Sequence, residues 1–174
     1  MMKSPIVSAI IAATLLLGVS ASAQVIKGHD SGAPVNFDAG NMELQDRADR
    51  VVLTGGVTAT QAGLTLKASR VTAAYTSGNG IDVNRLDAVG GVVITKDDLR
   101  ATSNSAIYDL DSKLITLIGN VHLVQGANRL NGGRLVIDLT AGRSTLSGGG
   151  SGVPGVKNTG GRVTGTFTVP KRKS

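Results

Sequence analysis

Apolar and polar residues alternate along most of this chain, and the alternation recurs in copies. Val51, Leu53, Val57 and Ala59 share one phase around the pair Gly55-Gly56. Leu86, Ala88, Val92 and Ile94 repeat the arrangement around Gly90-Gly91, and Ile115, Leu117, Val121 and Leu123 repeat it around Gly119-Asn120. A degraded fourth copy runs from Ser144 to Gly149, so Gly55, Gly90, Gly119 and Gly148 recur at intervals of 35, 29 and 29 residues. Apolar residues two apart mark a strand with one buried face. Gly and Asn accept positive φ at low cost, so each pair marks a turn, bulge or bend across which the chain keeps its phase.

A second strand pair recurs between these copies. Leu64, Leu66 and Ala68 go with Val71, Ala73 and Tyr75; Leu99 and Ala101 with Ala106, Tyr108 and Leu110; Leu130 with Leu135, Ile137 and Leu139. Thr65, Lys67, Arg100, Asp109 and Asp138 alternate with them as the polar face. Beyond the first 23 residues, no stretch sustains a 3.6-residue apolar period for ten residues with caps, so the pattern predicts an all-β chain. Short antiparallel strands separated by turn residues suit a sandwich, a jelly roll or a solenoid. Inward aliphatic positions repeated at a fixed period would then align into one continuous apolar trough.

The two ends of the chain depart from this pattern. Residues 1–23 read as a signal peptide: Lys3 supplies the charge, Ile6 to Val19 an apolar run, and Ala21-Ser22-Ala23 a small-residue cleavage site before Gln24. An uncleaved anchor is the competing reading, but the run is shorter than the ~20 apolar residues that cross a bilayer. Residues 24–33 are expected to be a flexible segment, 34–147 the β-structured body, and 148–161 a Gly-rich linker or loop containing Pro154. A last edge strand is predicted over 162–170, with Val163, Gly165, Phe167 and Val169 on one face; 171–174 form a basic tail.

Composition sharpens the picture of the interior. Phe37, Tyr75, Tyr108 and Phe167 are the only aromatic residues, and Trp and Cys are absent. Stability must therefore come from packing and strand pairing, not from disulfides. The formal charge is +6, to which Lys171, Arg172 and Lys173 contribute three and the signal segment one, so the body is only mildly basic. No nucleic-acid partner is expected.

Catalytic groupings are missing from the pattern. His29 and His122 stand alone, without the three or four ligands that zinc chemistry requires, and both are expected to face solvent. Asp97-Asp98 and Asp109-Leu110-Asp111-Ser112 read as turn formers. The Gly pairs lack the following helix and Lys-Ser/Thr of a phosphate loop. Neither an enzyme nor a cofactor is expected.

What remains to carry function is the repeated apolar face. A closed core is one reading of it. The other follows from residue type: Val, Ala, Thr and Gly fill a thick core poorly, yet suit an opening that admits alkyl chains. Each buried methylene is worth about 0.8 kcal/mol, so partial shelter of several acyl chains would hold a lipid without specific polar contacts. The candidate lipid-contacting positions on this phase are Val51, Leu53, Val57, Leu66, Leu86, Val92, Ile94, Tyr108, Leu110, Ile115, Leu117, Val121, Leu123 and Ile137.

Several fragments resemble the LptA/OstA family of lipopolysaccharide export proteins. They are Pro34-Val35-Asn36-Phe37, Asn41-Met42-Glu43-Leu44-Gln45, Leu53 to Gln61, Tyr108-Asp109-Leu110 and Ile115 to Val121, with Arg162 to Pro170 similar to the family's last strand. The resemblance covers about Pro34 to Leu146 and implies an open-ended β-jelly roll, V-shaped in section, in the periplasm of a Gram-negative bacterium. It implies that Val35, Phe37, Leu53, Tyr108 and Leu110 contact the acyl chains of lipid A. Its implied partners are lipopolysaccharide, LptC at the inner membrane through the N-terminal edge, LptD at the outer membrane through the C-terminal edge, and further copies head to tail. An LptC-like or stand-alone domain of the same family, and a structural β-solenoid with a dry core, are the alternatives. The Gly-rich stretch and basic tail lie outside the family pattern.

Overall fold

A computed structural model describes residues 26, 28–78, 80–149 and 161–168. The predicted signal peptide, most of the Gly-rich stretch, Val169, Pro170 and the basic tail lie outside the described residues. Ten strands are present among those described: β1 (Asn36–Asp38), β2 (Asn41–Gln45), β3 (Arg50–Gln61), β4 (Leu64–Ser77), β5 (Ile81–Lys96), β6 (Leu99–Asp109), β7 (Leu114–Gln125), β8 (Asn128–Asp138), β9 (Arg143–Ser147) and β10 (Thr164–Thr166). They form one antiparallel sheet in the order β1-β3-β4-β5-β6-β7-β8-β10, with β2 also on β3 and β9 also on β8. The sheet does not close, because the β1/β2 side and the β9/β10 side do not pair.

The Gly pairs explain how a single sheet makes an interior. Register breaks fall at Thr54/Val57, Lys67/Arg70, Val89/Val92, Thr102/Ser105 and Ile118/Val121, so the bulges line up from strand to strand as a crease. Gly90 shows why glycine is needed there. Its φ is +86°, and an added Cβ would lie 2.8 Å from the Ser69 Cβ. Across each crease the inward phase survives, as Leu53 and Val57, Ala88 and Val92, and Leu117 and Val121 are all buried.

The crease divides β3 to β8 into two half-sheets that face each other. One carries β1 against Thr58–Thr60 and β10 against Arg129–Asn131; the other carries β2 against Arg50–Thr54 and β9 against Arg134–Asp138. Inward side chains of both halves meet in one cluster that includes Leu66, Ile94, Leu117 and Ile137. Both turn expectations hold: Asp97 takes a φ of 52° between β5 and β6, and Asp109 Oδ1 accepts the Ser112 N–H at 2.7 Å. Of the predicted last strand, the described residues show Thr164–Thr166 paired as β10, while Val169 and Pro170 lie outside them. This strand pairs with β8 over Arg129 to Asn131, and Thr168 N–H donates to the Asn128 side-chain oxygen at 3.0 Å instead of continuing the ladder.

Candidate functional site

The sixteen candidate lipid-contacting residues separate by their place in the sheet. Leu53, Val57, Leu66, Leu86, Val92, Ile94, Tyr108, Ile115, Leu117, Val121, Leu123 and Ile137 are buried. Val35, Val51 and Leu110 pack partly buried against them. Phe37 is the exception, 54% exposed. It pairs with Ala59, so it points to the inner face, but β1 ends the sheet and nothing lies over it.

The middle of the interior is packed shut, with Val92, Ile94, Ile115, Leu117 and Val121 sealed from solvent. Only a narrow apolar crevice of about 10 Å³ persists nearer the N-terminal edge, lined by Val35, Ala59, Leu64, Leu66, Leu86 and Tyr108 together with Thr60 and Gln61. It draws its walls from both half-sheets.

At both edges the inward phase is bare. Met42 lies opposite Leu53 and Leu44 opposite Val51, yet they are 60% and 50% exposed. On the other side Gly165 pairs with Leu130, placing Val163 and Phe167 on the same phase; Phe167 is 63% exposed. Met42 and Leu44 were absent from the sequence-derived set, although their two-residue spacing is the same strand signal.

One polar cluster interrupts the apolar interior. Gln61 follows Val57 and Ala59 on the inward phase of β3 and is buried with them. Its Oε1 accepts the Tyr108 hydroxyl at 2.7 Å, and its Nε2 donates to the carbonyls of Ser31 at 3.0 Å and Ala33 at 2.8 Å. His29 Nε2 lies 3.2 Å from Gln61 Oε1 and 3.4 Å from the Tyr108 hydroxyl. The solvent-facing expectation for His29 is therefore corrected: long-range pairing draws its ring onto the core. Burial pushes the His29 imidazole below its ordinary value and the Tyr108 phenol above its own. His122 does face solvent, with Nδ1 2.6 Å from Asn131 Oδ1. Among the described residues no three His, Asp or Glu side chains gather as metal ligands, and no helix is long and apolar enough to cross a membrane.

An antiparallel sheet creased into two facing halves and left open at both edges is the β-jelly roll of lipopolysaccharide transport proteins. The model of the LptA and LptD N-terminal domain family, described as an LPS transport protein family, matches residues 36–143, and the chain belongs to that family. Among solved structures it is similar to LptH of Pseudomonas aeruginosa, described as the LptA-homologous periplasmic component of the conserved lipopolysaccharide transport device. The match has a TM-score of 0.69 at 19% identity and covers 82% of this chain and 100% of that one. That likeness establishes the shared fold. No curated protein matches the chain.

Proposed function

We propose that this protein is a non-catalytic periplasmic carrier that takes the acyl chains of lipopolysaccharide into its creased sheet and forms one segment of a bridge between the two membranes. The observation that carries the reading is the inward phase itself, which is sealed core in the middle and bare apolar surface at both edges. A row of aliphatic side chains that runs out to an open rim lets a hydrocarbon enter from the end. Parting two aliphatic layers exposes apolar area, but an inserted acyl chain covers it again, so methylene contacts replace methylene contacts at small net cost. Sugars and phosphates stay in water, so no charge is buried and its desolvation penalty is avoided.

The unpaired backbone groups of the edge strands supply the second half of the proposal. The β1/β2 edge would take a strand of an LptC-type partner, and the β9/β10 edge that of an LptD-type partner or of another copy. Each junction would cover Phe37, Met42 and Leu44, or Val163 and Phe167, and so continue the apolar path.

A closed structural sandwich is favoured by the sealed middle of the interior, and one experiment separates the two. A photoreactive residue at Leu53 or Tyr108 is expected to capture labelled lipopolysaccharide during export, while one at Thr54 or Asp109 is not. Capture at neither inward position would leave the closed sandwich standing.

A further inference from the structure

Gln61 is the unusual residue of the interior. Only 3% exposed, it places a primary amide among aliphatic side chains, where every unpaired N–H or C=O would be costly. Both of its donated bonds end on carbonyls of one short stretch, Ser31 and Ala33, and its acceptor is taken by Tyr108 from the opposite half-sheet. That same stretch begins with Ile26, which is 3% exposed and belongs to the core cluster. An added Cβ at Gly142, in the turn between β8 and β9, would stand 3.9 Å from the Ile26 carbonyl. The segment therefore crosses from the end of one half-sheet to the end of the other, on the side away from the crease.

Two cavities lie beside it, of which it lines only the outer one. The inner one is the apolar crevice of about 10 Å³; the outer one, of about 430 Å³ and open to solvent, is lined by residues including Ser31, Ala33, Ile81 and Leu110. Val35 and Gln61 line both. The stretch thus offers backbone carbonyls to a buried amide and sends an aliphatic side chain into the core. An ester- or amide-linked acyl chain offers the same two things in the same order, a carbonyl followed by methylenes.

Building on the acyl-binding function proposed above, we propose that Gln61, braced by Tyr108, is a carbonyl-reading subsite at the mouth of the trough, and that Ile26 with residues 28–33 occupies it as an internal stand-in for an acyl chain. When an acyl carbonyl takes one Gln61 Nε2 donor and water from the outer cavity the other, the segment leaves and the amide remains satisfied. A free fatty acid is a poorer substitute, because burying its carboxylate incurs a desolvation cost that a neutral ester or amide carbonyl does not. Occupancy by the segment lowers the apparent affinity for lipid by the fraction of molecules in which the subsite is free.

The chain has no cysteine, so Asp30→Cys in the full mature chain accepts a single spin label at an exposed position. Two probes are compared, N-decanoyl-glucosamine and decanoate. Saturation with N-decanoyl-glucosamine is expected to free the label, and decanoate is expected to bind about tenfold more weakly. Ile26→Asp, which unseats the segment without touching the cleft, is expected to tighten N-decanoyl-glucosamine binding about tenfold. Gln61→Met is expected to abolish the discrimination between the probes. Bound N-decanoyl-glucosamine with the label still immobile would overturn the stand-in role while leaving acyl binding intact. Failure of folded wild type and folded Ile26→Asp to bind either probe would overturn the acyl-binding function and the subsite with it.

Discussion

Leu117 and Phe37 carry the same kind of information in the sequence and lead opposite lives in the fold. Both are apolar residues on the inward phase of a strand, yet Leu117, in the middle of the sheet, is fully buried and Phe37, on its last strand, is more than half exposed. Position within the sheet, not hydrophobicity, decides the difference. Strand β7 has β6 and β8 on its flanks and a facing half-sheet above it, while β1 has β3 on one side only. One repeated pattern thus supplies core in the middle of the sheet and bare apolar surface at its ends.

Charge separates the two regions most strongly. Leu117→Asp buries an uncompensated carboxylate and is expected to remove about 5 kcal/mol or more, enough to unfold a domain of this size. Phe37→Asp is expected to leave the melting curve nearly unchanged and to reduce lipid capture or partner pairing. Chemical denaturation of both variants checks the contrast, and similar losses in the two would break it. Truncation gives the next effect: Leu135→Ala, at a sealed position, is expected to cost about 2–5 kcal/mol, and Met42→Ala at the edge less than about 0.5 kcal/mol.

The crease gives a smaller effect. Gly90→Ala puts a Cβ 2.8 Å from that of Ser69 at a φ of +86°, and is expected to cost about 1–3 kcal/mol in urea unfolding. Gly56 has a φ of +81° but open space around it, so Gly56→Ala is expected to cost less.

Titration gives the smallest. His29 is held below its ordinary value chiefly by burial, so the folded chain binds fewer protons than the unfolded chain on acidification. The stabilisation is present above the unfolded value of 6.5 and is lost as pH falls through the folded value. Between pH 7.5 and 5 the wild type is expected to lose more in Tm than His29→Gln, and an equal loss in the two would remove His29 as the cause.

Much of this architecture was legible because strand periodicity and bend chemistry are local. The Gly pairs named the crease, and the phase on either side of each pair named the inward residues. What alternation cannot show is whether an inward residue has a neighbour above it, since that depends on strand order; the inward phase of Phe37 is legible in the sequence and its exposure at the end of the sheet is not. The polar cluster was hidden for a related reason. Tyr108 and His29 stand 79 residues apart, and no local period connects them. Gln61 did leave a trace, as a lone amide two residues beyond Val57 and Ala59 on an otherwise aliphatic phase.

The central claim is that the sealed aliphatic interior parts to receive acyl chains. Spin labels at Thr58→Cys and Thr72→Cys sit on the outward phases of the two half-sheets, and the distance between them can be measured with and without lipopolysaccharide. Insertion of a hydrocarbon layer is expected to widen that distance by about 4 Å, one carbon–carbon contact. An unchanged distance at saturating lipopolysaccharide would contradict the claim.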